Sequence, residues 1–96
     1  MCDCGEWTAT RAGDGLRVTG RCTCPRAGYA IALEPVGGGD GVLVLQVVID
    51  APEFAATVMS TVDAVWEGPA AADVREVEVR PAEGSRAGSV RVAVDG

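Results

Sequence analysis

Pro52-Glu53-Phe54-Ala55-Ala56-Thr57-Val58-Met59-Ser60-Thr61-Val62-Asp63-Ala64-Val65-Trp66 decides the fold class, because it satisfies two periodicities at once. As a helix, Asp50 and Glu53 stand at capping-box spacing, Pro52 suits a first turn, and Phe54, Val58, Val62, Val65 and Trp66 recur at helical intervals before Gly68-Pro69. As a strand, Val58, Ser60, Val62, Ala64 and Trp66 share one face, against Thr57, Met59, Thr61, Asp63 and Glu67 on the other. Five of the ten residues from Thr57 to Trp66 are valine or threonine, whose branched side chains favour a pleated surface. The strand is therefore preferred and makes the chain all-β. A helix around 52–66 would make it α+β.

The flanks repeat the strand pattern. Toward the N-terminus, Trp7 and Ala9 oppose Glu6, Thr8 and Thr10, and Ala12-Gly13-Asp14-Gly15 signals a turn. Leu16, Val18, Gly20, Cys22 and Cys24 then fall on one face, with Arg17, Thr19, Arg21 and Thr23 on the other. Tyr29, Ile31 and Leu33 alternate in a third strand, and Val42 to Ile49 forms a nearly continuous apolar run, as expected for a strand covered on both faces. Beyond Trp66, Val77 and Val79 alternate with charges, while Val74 is out of phase and predicts a bulge near Arg75. After the turn at Glu83-Gly84-Ser85, Val90, Val92 and Val94 complete a seventh strand. Seven short strands separated by Gly/Pro turns predict a seven-strand antiparallel sandwich, loosely immunoglobulin-like, spanning residues 1–96 as one domain.

Gly15 to Pro25, Gly28-Tyr29 and Thr57 to Glu67 together resemble a group of small uncharacterised actinobacterial β-sandwich proteins. The resemblance implies a fold and a strand across Thr57 to Glu67; it implies no activity. The absence of lysine, histidine and asparagine, with arginine supplying every basic side chain, fits the coding bias of a GC-rich genome.

Composition narrows the functional classes. The formal net charge is −6 and the eight arginines are scattered, so the basic stripe that neutralises phosphates is missing and nucleic acid is not an expected partner. No apolar run is long enough to span a bilayer, and Cys2-Asp3-Cys4-Gly5 does not read as a signal segment, so a cytoplasmic protein without a membrane partner is expected. Without histidine there is no Ser-His or Cys-His relay, and the fourteen carboxylates single out no acid/base pair. No catalytic residue is assigned, and the chain is read as a non-enzyme.

Two constellations remain. Cys2 and Cys4 repeat the C-x-C spacing of Cys22 and Cys24, and residues i and i+2 of a strand project from one face. Four thiolates would suit tetrahedral zinc, with Zn–S distances near ~2.3 Å, and less readily copper(I) or an iron-sulfur cluster. The same residues admit two bridges between the N-terminal segment and the second strand, or buried thiols that pack as small hydrophobes. In a reducing cytosol, thiols or metal ligands are expected over a disulfide framework. Arg21 and Arg26 flank the second pair and would favour a thiolate, but solvated side chains account for both. The second constellation is Val42, Val44 and Val48, opposite Leu43, Leu45, Val47 and Ile49. It predicts either a covering segment or a protein partner, most simply a second copy in a homodimer. Gly37-Gly38-Gly39-Asp40-Gly41 lacks the Lys-Ser/Thr of a phosphate loop and reads as a flexible hairpin loop.

Overall fold

The computed structural model describes residues 2–53, 58–82 and 88–95. It contains seven strands: β1 (Asp3–Ala12), β2 (Gly15–Cys24), β3 (Ala30–Gly39), β4 (Val42–Asp50), β5 (Ser60–Pro69), β6 (Glu76–Arg80) and β7 (Val90–Asp95). Among the described residues there is no helix. Phe54 to Thr57 and the expected turn at Glu83 to Ser85 lie outside them.

From Ser60 to Trp66 the ambiguous stretch is strand β5. It pairs with β2 in an unbroken antiparallel ladder from Gly15↔Pro69 to Cys24↔Ser60. That register sets Val62, Ala64 and Trp66 against Cys22, Gly20 and Val18, so the inward faces of both strands coincide. Val58 departs from the expected inward set and is 62 % exposed. The ladder ends where β2 ends, at Cys24↔Ser60, so among the described residues β2 offers Val58 no facing position.

The strands form one sheet in the order β3-β4-β6-β7-β1-β2-β5. Its end strands, β3 and β5, lie beside each other without a ladder, so the sheet curls into a nearly closed barrel. Two of its pairings, β4 with β6 and β1 with β7, are parallel, where an antiparallel arrangement throughout is expected from the pattern. Period-two alternation specifies which face of a strand is buried and leaves the direction of its neighbour open. β7 joins the halves, pairing with β6 along Val90 to Ala93 and, among the described residues, with β1 only at Ala9↔Val94 and Thr10↔Asp95.

The core is built from small side chains. Leu16, Val18, Cys22 and Cys24 of β2 and Ala64 of β5 face Leu33 of β3, Leu45 and Val47 of β4, and Val77 and Val79 of β6; all are buried. Gly20 leaves a gap on the inward face of β2, and the Trp7 indole fills it so closely that a Cβ at position 20 would collide with the ring. Trp7 reaches this gap because β1 carries a bulge. Pairing shifts between Gly5↔Arg21 and Thr8↔Thr19, so Glu6 and Trp7 together oppose Gly20, and Glu6 takes a left-handed φ of 55°. The extra residue reconciles two sets of opposite parity, Cys2 and Cys4 with Trp7 and Ala9, on one inward face.

The Gly37–Gly41 region is more regular than a flexible loop. β3 continues to Gly39, and Asp40-Gly41 makes a two-residue hairpin turn in which both residues have positive φ, 54° and 81°. The Gly41 carbonyl then accepts hydrogen bonds from the successive amides of Arg75 at 2.8 Å and Glu76 at 3.2 Å. Val74 is out of phase because β6 begins only at Glu76, after this two-against-one junction.

Candidate functional site

All four cysteines meet on the inward face of the β1–β2 hairpin. Cys4 and Cys22 are direct cross-strand partners, and the antiparallel register carries Cys2 toward Cys24. The thiols are joined as Cys2–Cys24 and Cys4–Cys22, with Cα–Cα distances of 4.2 Å and 3.9 Å, and no cysteine is free. The sequence expectation of thiols or metal ligands over disulfides thus meets a paired arrangement. In that state no group of three or more His, Cys, Asp or Glu among the described residues is disposed to hold a metal ion. Cys22 and Cys24 are completely buried, whereas Cys4 is only half-buried. Cys2 and Cys4 line a narrow cleft of about 80 Å³ together with Trp7, Val47, Ile49 and Val79.

The flanking arginines face away from the sulfurs. Arg21 lies between Glu6 at 3.8 Å and Asp63 at 3.7 Å on the exposed outer face, as strand alternation requires of a neighbour of Cys22. Arg26 is exposed in the turn after β2, where its carbonyl accepts a hydrogen bond from Ser60 Oγ at 3.0 Å.

Val42, Val44 and Val48 occupy the outward face of β4, opposite Leu45 and Val47 in the core, and each is half-buried. On one side they are flanked by Gly39, Gly37 and Ala32 of β3, which add little bulk. On the other side Glu76 and Glu78 of β6 stand beside Val42 and Val44. A chain of ion pairs borders the valines: Arg80 to Glu78 at 3.2 Å, Glu78 to Arg91 at 3.6 Å, and Arg91 to Glu76 at 3.3 Å. Val36, the bulged residue of β3, is 51 % exposed. The result is a shallow open depression of about 550 Å³ lined by Gly38, Val42, Val44, Glu78 and Arg91. Gln46 interrupts the valine row, and its side-chain amide donates to the Pro81 carbonyl at 2.6 Å.

One structural anchor escapes sequence reasoning. Arg11 directs its Nη2 at the carbonyls of Ala71, Ala72 and Val74, tying the first hairpin to the β5–β6 connection. An arginine at a strand end preceding a turn carries no signal for this, since its acceptors lie about sixty positions away.

No helix among the described residues is long and apolar enough to cross a membrane. No family model, no curated protein and no solved structure matches this chain.

Proposed function

We propose that this chain is a non-enzymatic binding module whose partner is a second copy of itself, docked through the outward face of β3, β4 and β6. The observation that carries the reading is the row of Val42, Val44 and Val48 on the outward face of an interior strand. An apolar row there, beside residues that add almost no side-chain bulk, suits a flat partner surface. The charged border carries both signs, Glu76 and Glu78 with Arg80 and Arg91, so a copy related by a two-fold axis meets complementary charge. A loosely immunoglobulin-like sandwich is the scaffold this reading assumes, with the sheet folded over at β7 so that β1, β2 and β5 lie against β3, β4 and β6; the strand order is compatible with that folding. The test is light scattering across a range of protein concentrations. The native chain is expected to be a dimer, and Val44→Asp a monomer with unchanged β-sheet circular dichroism. A native chain that stays monomeric at every concentration removes the reading.

A second reading, a thiolate zinc or thiol-redox protein, is favoured by the convergence of Cys2, Cys4, Cys22 and Cys24 on one face. A cytoplasmic location suits this reading, because a reducing compartment makes the thiols available; an oxidising one suits the paired form. Elemental analysis of untagged protein, with a thiol count under denaturing conditions, separates the cases. Bound zinc with four chelator-released thiols supports the metal form, and metal-free protein without titratable thiols supports the bridged form.

A further inference from the structure

The geometry points to a redox latch, in which the two disulfides hold an N-terminal arm, residues 2–5, that reduction releases while the remaining barrel stays folded. The inference deepens the thiol-redox reading and rests on it. It is independent of the valine face.

Four observations converge. First, the arm is joined to β2 by only three ladder pairs, Asp3↔Thr23, Cys4↔Cys22 and Gly5↔Arg21. Second, the Glu6-Trp7 bulge separates those pairs from the continuous ladder between Thr8 and Ala12, so the arm is not propped by a cooperative run. Third, among the described residues β1 pairs with β7 only at Ala9 and Thr10, beyond the bulge, leaving the arm with a ladder on one side alone. Fourth, both bridges tie the arm to β2, Cys2 to Cys24 and Cys4 to Cys22, and these take up all four cysteines. Three pairs cut off by a bulge from the rest of the ladder are too few to offset the entropy of ordering residues 2–5, so the covalent ties hold the arm in place. β2 does not depend on the arm, because Arg21 to Cys24 stay paired with Asp63 to Ser60 of β5.

Reduction has a route in. Cys22 is fully buried, but its partner Cys4 is half-buried and borders the cleft. A dithiol reductant attacks the Cys4 Sγ with one thiolate, the Cys4–Cys22 bond breaks, and Cys22 leaves as a thiolate. The second thiol of the reductant, once deprotonated, displaces Cys4 from the mixed disulfide. The reductant becomes a disulfide, and Cys4 and Cys22 each take up a proton. Cys2–Cys24 follows by the same two-electron exchange once the arm loosens. The Glu6 position, with its left-handed backbone, is the hinge, and the opened state presents Cys22 and Cys24 to solvent.

Amide hydrogen exchange on the oxidised and the dithiothreitol-reduced protein tests the latch. The intact mass after alkylation without reductant first reports whether the bridges form, so failure of the thiol-redox reading is seen before the latch is tested. On reduction, amides of residues 3–5 are expected to exchange at least about 100-fold faster, while β5 amides from Thr61 to Glu67 stay protected at least about 100-fold over an unstructured chain. The variant Cys2→Ser/Cys4→Ser/Cys22→Ser/Cys24→Ser is expected to show the same pattern without reductant. Arm amides that stay protected after reduction overturn the latch. So does loss of β5 protection together with the arm, in either protein.

Discussion

The hairpins β1–β2 and β3–β4 share a plan. Each has long strands, a two-residue turn with a left-handed backbone, at Gly13 or at Asp40-Gly41, and one bulge, at Glu6-Trp7 or at Val36. Only the first is cross-linked. The difference follows from how each hairpin is flanked. β4 is paired on both edges from Val42 to Gln46, by β3 and by β6, so its backbone groups are satisfied along that length. β1 has a second described neighbour only at Ala9 and Thr10, and the disulfides stand where that neighbour is missing. The outer faces differ in the same sense. The first hairpin carries Thr8, Thr19, Arg17 and Arg21, with the two threonine hydroxyls 2.7 Å apart, and needs no cover. The second carries valines.

Removing the covalent ties is expected to have the largest effect on the first hairpin. The outer bridge closes a loop with a sequence separation of 22, worth about 3 kcal/mol on a chain-entropy account, and the inner bridge adds about 2 kcal/mol because its ends are already close. Replacing either pair with alanine is expected to cost about 2 kcal/mol, and replacing both about 5 kcal/mol, read from guanidinium melts. A double replacement no worse than a single one would show that one bridge is idle.

Arg11 comes next. Both hairpins grip the same segment, the first through the Arg11 guanidinium on Ala71, Ala72 and Val74, the second through the Gly41 carbonyl on Arg75 and Glu76. Arg11→Met keeps the aliphatic stem and removes the charged donor, so a loss of about 1.5 kcal/mol is expected in the same melts. An unchanged midpoint would assign the segment to the second hairpin alone. The smallest effect has the opposite sign. Glu6 holds a φ of 55° that a residue with a Cβ resists, and its ion pair with Arg21 is exposed and long at 3.8 Å. Glu6→Gly is expected to stabilise by about 1 kcal/mol. Asp40→Gly should gain less, since aspartate tolerates the left-handed region.

Much of this was legible in the residues themselves. The alternation of Leu16, Val18, Cys22 and Cys24 placed the second cysteine pair on the buried side, and the branched residues between Thr57 and Trp66 outweighed the capping signals at Asp50 and Glu53. The cross-strand meeting of Cys2 and Cys4 with Cys24 and Cys22 was legible only conditionally. Their parity conflicts with that of Trp7 and Ala9, and nothing local announces that Glu6 will adopt the backbone that resolves it. Asp40-Gly41 carried a hairpin signal, but the preceding glycines disguised a regular strand as a loop.

The all-β class, the seven strands and the inward parity of most of them follow from the residues alone, because side-chain alternation is a local property of the extended chain. The mixed, nearly closed sheet, the pairing of the cysteines and the reach of Arg11 to Val74 arise in the assembled fold. These depend on which strands become neighbours and in which direction. That choice is made by packing the whole core at once, and no short window of residues encodes it.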